Sequence, residues 1–196
     1  MRRVIPIALL LLAACRGERV ETARVETGGV VRASAPSLTS KILGPDGAEL
    51  VSIAEASGTV EIKFGGKTIR GTTKDSGKRK YEDFEIKPGD EGFKLRTKDG
   101  KLRWKVKIKD DKVKVSDNEE NKNPFELKSR DGDRIKVVAP GDREVGNVRS
   151  DHVEDASGKT LYKVDGPRAA YGVLLLDSIP ETERYILVAE LLSRKR

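Results

Sequence analysis

The feature that most constrains this chain is a series of short alternating runs of apolar and polar residues between positions 38 and 164. A repeat of two residues places alternate side chains on opposite faces of a strand. Turn-forming pairs separate the runs at fairly even spacing. They are Asp46-Gly47, Gly65-Gly66, Ser76-Gly77, Asp99-Gly100, Asp131-Gly132, Pro140-Gly141 and Ser157-Gly158. The pattern predicts an antiparallel meander of many short strands, folded as a barrel or a sandwich.

The clearest predicted hairpin covers residues 93–108. Its turn is Asp99-Gly100, and an Asp-Gly pair between two alternating runs is a strong hairpin signal. The side chains predicted to face the core are Phe93, Leu95, Leu102, Trp104, Val106 and Ile108. The basic residues between them are expected on the opposite face of the sheet.

The last thirty residues change character, because residues 169–176 and 185–192 are mostly apolar. Ser178 followed by Glu181 fits the start of a helix over about residues 179–192. A helix that is apolar around most of its circumference is usually buried. The predicted fold class is therefore mainly β with a C-terminal helix, in which an apolar helix closes an antiparallel meander barrel or sandwich.

The N-terminus has the organisation of an export signal. Arg2 and Arg3 precede a nine-residue apolar segment, and Leu12-Ala13-Ala14-Cys15 follows it. This stretch resembles the lipobox of bacterial lipoproteins. The resemblance implies cleavage before Cys15, diacylglycerol on its sulfur and often a third acyl chain such as palmitate on the new amine. An ordinary signal peptide with an incidental cysteine is the alternative.

The sequence accordingly divides into three predicted parts. Residues 1–14 are a signal peptide, residues 15–37 are the lipidated cysteine and a flexible tether, and residues 38–196 are one β-rich domain that ends in apolar helices. By analogy, Arg16 after the cysteine favours the outer membrane, with the domain facing the periplasm. Cys15 is the only cysteine, so a disulfide within the chain is excluded.

Charge supplies one candidate interaction surface. The formal net charge is +7, which favours weak contact with anionic surfaces and names no partner. Six basic residues in and next to the predicted hairpin are expected on one sheet face: Lys94, Arg96, Arg103, Lys105, Lys107 and Lys109. Such a face could contact anionic lipid headgroups or an envelope protein. Alternatively, these lysines protect a solvated sheet edge from aggregation. Nucleic acid is not expected as a partner of an exported protein.

No catalytic or metal-binding pattern emerges. Two Gly-Lys-Thr triplets, at residues 66–68 and 158–160, lack the earlier glycine of a phosphate-binding loop. His152, the only histidine, is expected in a hydrophilic loop. The acidic and amide-rich stretch at residues 117–123 lacks the glycine of a calcium-binding EF-hand loop and is expected to be a solvated turn. The sequence therefore predicts no cofactor, no metal and no enzymatic activity.

A meander of glycine-turn hairpins followed by an apolar C-terminal helix resembles the tubby C-terminal-like group, which includes the scramblase and LURP-one families. Residues 125–192 are the most similar part, especially residues 155–164. The resemblance implies a twelve-stranded barrel around a buried helix and a role at a membrane surface. The group's phosphoinositide-binding residues have no matching motif here.

Three functions remain open at this point. The first is a non-enzymatic, lipid-anchored domain with a binding or structural role, whose basic face points to an anionic surface. The second is a carrier that holds an apolar ligand or lipid in a barrel cavity, which requires that the C-terminal helix does not fill the barrel. The third is an enzyme with an unrecognised site. The oligomeric state is undetermined.

Overall fold

The structure, a computed structural model, describes residues 38–130 and 134–194. The predicted signal peptide, Cys15 and the tether lie outside the described residues, as do the Asp131-Gly132 turn and the last two residues. The described part contains fourteen strands and two helical segments. The strands are β1 (Leu38–Leu43), β2 (Glu49–Ala56), β3 (Thr59–Phe64), β4 (Lys67–Thr73), β5 (Arg79–Lys80), β6 (Phe84–Gly89), β7 (Gly92–Thr97), β8 (Leu102–Ile108), β9 (Lys112–Ser116), β10 (Phe125–Arg130), β11 (Arg134–Ala139), β12 (Arg143–Val148), β13 (His152–Asp155) and β14 (Thr160–Lys163).

The strands form a closed antiparallel barrel in which every strand pairs with its neighbours in sequence. The ring closes between β1 and β14, at the single residue pair Leu43 and Lys163. This confirms the predicted fold class and selects the barrel over the sandwich. Strand alternation explains the result locally, since in β3, for example, Val60, Ile62 and Phe64 are buried and the residues between them are not.

The hairpin predicted over residues 93–108 is confirmed as β7 and β8. Its register shifts between Leu95 and Arg96, because Leu95 pairs with Trp104 whereas Arg96 pairs with Leu102. Arg103 is the extra residue of this β-bulge, and a bulge redirects the side chain it carries. Trp104 is buried at 8% exposure, as the alternation predicts.

The barrel interior is filled by the C-terminal segment. A 3₁₀ helix (Ala169–Leu175) is buried along its whole length and packs against β10–β13. The α-helix α1 (Glu181–Arg194) has four consecutive residues, Ile186 to Ala189, without any exposed surface. Four consecutive helical residues point in all directions around the axis, so the helix is enclosed on every side. The predicted burial of an apolar C-terminal helix is confirmed.

The predicted start of this helix was wrong by two residues. The first helical hydrogen bond runs from the Arg184 N–H to the Pro180 carbonyl, so Ser178 does not cap the helix. Instead, residues 176–179 form a turn closed by the Ile179 N–H and the Leu176 carbonyl. Ile179 is fully buried, so packing of its side chain takes precedence over the local capping signal.

The barrel has fourteen strands in the described residues, where the resemblance to the tubby C-terminal-like group implies twelve. Within residues 38–130 and 134–194, no helix combines the length and the apolar character needed to cross a membrane.

Candidate functional site

The most distinctive surface of the barrel is a basic wall formed by the outward side chains of β6–β11. On each of these strands the outward positions alternate with buried residues such as Ile86, Leu95 and Leu127. The wall carries eleven basic side chains and only two acidic ones, Glu85 and Glu126. The basic members are Lys87, Lys94, Arg96, Lys105, Lys107, Lys112, Lys114, Lys128, Arg130, Arg134 and Lys136.

Many of these cations face one another directly across neighbouring strands. Lys94 of β7 pairs in register with Lys87 of β6 and with Lys105 of β8. Lys128 of β10 has the same position between two other lysines of the wall, Lys112 and Lys136. Directly opposed like charges destabilise a sheet. Repulsion between the cations of the wall therefore lowers the stability of the fold.

Carboxylates offset much of this repulsion, because seven of the eleven basic side chains form an ion pair with Glu91, Glu119, Glu126 or Glu144. Glu119, in the loop before β10, contacts Lys94 at 2.6 Å and also Arg96. Glu126 lies between two lysines of the wall, with Lys128 at 2.5 Å and Lys114 at 2.9 Å. The hydrogen bond from Lys128 and the proximity of Lys114 outweigh partial burial and lower the pKa of Glu126 from 4.5 to about 2.

Glu126→Gln is expected to reduce stability in a pH-dependent way. The pKa of Glu126 is lower in the folded chain than in the unfolded one, so its contribution is fully present above about pH 4.5 and is lost as the pH falls towards 2. After allowance for solvent screening, we expect a loss of about 1 kcal/mol at pH 7. Urea unfolding at pH 7 and pH 3 measures it. The exposed Glu82, changed to Gln, is the control, and a loss that does not decrease at pH 3 would contradict the expectation.

The structure places four of the six predicted basic residues on this wall: Lys94, Arg96, Lys105 and Lys107. Lys109 follows the end of β8 and is exposed in the turn to β9. Arg103 was wrongly assigned to the basic face, since its guanidinium contacts the carboxylate of Glu183 on α1 at 2.9 and 3.1 Å. The β-bulge explains this difference, because it redirects Arg103 out of the regular alternation.

Inside the barrel, a second group of charges lies around Glu190 of α1, which is 1% exposed. Arg79 donates to Glu190 at 2.7 Å and also to Glu55, and the Tyr81 hydroxyl donates to Glu190 at 2.9 Å. Burial disfavours the charge on Arg79, but the attraction of Glu190 outweighs it and raises the pKa of Arg79. Burial, followed by the nearby Glu190 carboxylate, raises the pKa of Tyr81 well above its usual value.

Glu183 makes the equivalent contact near the start of the helix. It is 5% exposed, accepts three hydrogen bonds from Arg103, and also accepts one from the Trp104 indole N–H at 2.6 Å. Each end of α1 is thus held to a strand of the barrel by an ion pair between a glutamate of the helix and an arginine of the strand. Neither contact was predicted from the sequence. The signal was the spacing of Glu183 and Glu190, which are seven residues or about two turns apart and therefore lie on the same face of the helix.

The other sequence candidates have local roles. His152 was wrongly placed in a loop, since it begins β13, and its two ring nitrogens lie 2.7 Å from Asp151 and 3.5 Å from Glu154. Both Gly-Lys-Thr triplets lie at hairpin turns, between β3 and β4 and between β13 and β14. Asn118 accepts from and donates to the Lys122 backbone, which closes the acidic loop as a turn. The described residues contain no group of His, Cys, Asp and Glu side chains that could hold a metal ion.

A cleft of about 760 Å³ in the described part of the chain is open to solvent. Its walls include Leu38 of β1, Ile135 of β11, Ala169 and Ala170 of the 3₁₀ helix, and Leu191 of α1. It lies beside the C-terminal end of α1 and not in the centre of the barrel, which the two helical segments occupy.

No protein-family model, curated protein or solved structure matches the chain. Its function is therefore inferred from its own geometry.

Proposed function

We propose that this chain is a lipid-anchored envelope protein whose barrel has a non-enzymatic binding or structural role, with the basic wall as its contact surface for anionic lipid headgroups. Cys15 is the proposed site of the lipid, in the outer membrane. The observation that carries the proposal is the excess of nine positive charges on the outward positions of β6–β11. Phosphate-bearing headgroups are the ligands that such a surface fits best.

The position of these strands in the barrel supports a binding role. Lysines on an exposed strand edge often prevent aggregation. Here, however, the strands that carry the wall are paired on both sides within the closed ring. They have no free edge to protect, so that explanation does not account for lysines such as Lys94, Lys105 and Lys128. An anionic ligand that lies between opposed cations would remove the repulsion between them.

The filled interior of the barrel favours a function on the outer surface over the two alternatives, which are a carrier of an apolar ligand and an enzyme with an unrecognised site. Ile186, Leu187 and Val188 occupy the centre of the barrel, where a carrier would hold an apolar ligand. The two buried carboxylates of α1, Glu183 and Glu190, are engaged in ion pairs with Arg103 and Arg79 that hold the helix. An outer surface, in contrast, is accessible without any movement of the fold.

The test is binding to vesicles that contain phosphatidylglycerol, measured by sedimentation with the full chain carrying Cys15→Ser. Lys94, Lys105 and Lys107 are replaced together by glutamine. Each lysine near an anionic surface contributes about 1 kcal/mol, so the triple variant is expected to bind about 100-fold more weakly at 0.1 M salt.

A matched variant controls for net charge. Lys41, Lys63 and Lys67, on β1, β3 and β4, are replaced by glutamine and change the charge by the same amount. We expect its affinity to fall by less than about threefold, since these residues lie outside the wall. If both variants bound the vesicles equally weakly, the interaction would depend only on net charge and not on the wall. If the wall variant bound as tightly as the unchanged wall, the proposal would be refuted.

A further inference from the structure

One part of the basic wall already holds an anionic group of the chain itself. Glu119, in the loop between β9 and β10, places its carboxylate against Lys94 and Arg96 of β7, with 2.6 Å between Lys94 Nζ and Glu119 Oε2. Lys105 of β8 donates to the backbone carbonyl of the same residue. The hydrogen bond from Lys94, assisted by that from Arg96, outweighs desolvation and lowers the pKa of Glu119. Three cations from two adjacent strands therefore converge on one anionic residue.

Glu119 does not use all the donors of these cations. Nη1 of Arg96 donates to the Gly100 carbonyl at 2.8 Å, and Nη2 donates to Glu119. Nε of Arg96 is buried and has no hydrogen-bond acceptor among the described residues. A guanidinium binds a carboxylate or a phosphate most strongly through two parallel hydrogen bonds, and Glu119 accepts only one. Glu119 therefore leaves room for a ligand that makes better use of Arg96.

The carboxylate can leave these cations without a change in the loop backbone. The loop is closed by two hydrogen bonds between Asn118 and the Lys122 backbone, at 2.9 and 2.7 Å. Ser116 also donates to the Asn121 side chain at 2.7 Å. None of these bonds involves the Glu119 side chain, which is 44% exposed. Its rotation into water loses only exposed ion pairs, which contribute little to stability.

We infer that Lys94, Arg96 and Lys105 form a phosphate subsite of the basic wall, which the Glu119 carboxylate occupies until the phosphate of a lipid headgroup replaces it. This inference rests on the proposed function and names both the subsite and its competitor within the chain. A headgroup phosphodiester has two unesterified oxygens that share one negative charge, as a carboxylate does, so it suits the same donors. A bidentate contact with Arg96 also supplies an acceptor for Nε.

Glu119→Gln tests the competition by vesicle sedimentation with the full chain carrying Cys15→Ser. We expect about fivefold tighter binding to phosphatidylglycerol vesicles, because the phosphate no longer replaces the ion pairs of Glu119. Glu120→Gln is the matched control, since Glu120 is exposed in the same loop and is in none of the wall's ion pairs among the described residues. We expect the control to change the affinity by less than about twofold. Equal gains in both variants would overturn the inference.

A second background separates occupancy of the subsite from net charge. In a chain that carries Lys94→Gln and Arg96→Gln, Glu119 has lost the two side chains that hold its carboxylate. Glu119→Gln should then change the affinity by less than about twofold, because coupled residues are not additive. The same gain in both backgrounds, or no gain in either, would overturn the inference. The proposed function fails separately, if the Lys94, Lys105 and Lys107 triple variant binds as tightly as the unchanged wall.

A free phosphate ion has the same chemistry as the headgroup phosphate, so inorganic phosphate is added as a competitor and compared with sodium chloride at equal ionic strength. A vesicle contacts the subsite and other cations of the wall at once, whereas a free ion contacts the subsite alone. We therefore expect inorganic phosphate to release the chain from vesicles less than about twofold more effectively than chloride. A several-fold greater release would assign the subsite to the free ion and overturn the lipid headgroup as its ligand.

Discussion

Glu190→Gln is expected to lower the free energy of unfolding by about 3 kcal/mol, which is the low end of the range for breaking a buried ion pair. Its carboxylate is 1% exposed and is the acceptor for both Arg79 and Tyr81. The change leaves the Arg79 cation inside the barrel with Glu55 as its remaining acidic partner. That remaining pair is the reason to expect the low end of the range.

Urea unfolding of the full chain measures this effect, with thermal unfolding as a second readout if the variant is too unstable for extrapolation. Glu181→Gln is the matched control, because it lies exposed in the first turn of the same helix. We expect that control to change stability by less than about 0.5 kcal/mol. A loss below about 1 kcal/mol for Glu190→Gln would mean that apolar packing alone holds the helix in the barrel.

Cys15→Ser is expected to move the protein from the membrane fraction to the soluble fraction. The proposed anchor has two or three acyl chains, and each buried methylene contributes about 0.8 kcal/mol to membrane binding. One chain gives only marginal attachment, whereas two or more give stable attachment. Serine is close to cysteine in size but lacks the sulfur that the lipid-transfer reaction requires. The effect should therefore be nearly complete loss of membrane attachment.

Intact-mass measurement of membrane-fraction protein gives the decisive comparison. For the unmodified sequence, we expect the mass of a chain that starts at Cys15 plus its acyl groups. For Cys15→Ser, we expect a chain without lipid, either uncleaved or soluble. A mature, soluble chain without lipid from the unmodified sequence would refute the anchor. It would leave open whether the basic wall binds anionic surfaces, which the vesicle experiment tests with the unanchored chain.

The amino-acid sequence was sufficient for the local features of this barrel. Alternation with a period of two, interrupted by Asp-Gly and similar turns, predicted the β7–β8 hairpin and the burial of Trp104. It also placed Lys94, Lys105 and Lys107 on the outward face. The apolar character of the C-terminus predicted a buried helix. These features depend on residues within one or two strands of each other, so a linear pattern contains them.

Only the tertiary structure decided the features that depend on distant parts of the chain. Pairing of Leu43 with Lys163 closes the ring, and this closure places β8 opposite β1. The contact between Arg103 and Glu183, which the bulge makes possible, joins residues that are 80 positions apart in the sequence. The contact between Arg79 and Glu190 joins residues that are 111 positions apart. No repeat along the chain encodes such partners, because burial in the closed barrel selects them. Sequence therefore determined which side chains point outwards where the strands are regular, and closure of the barrel determined what they face.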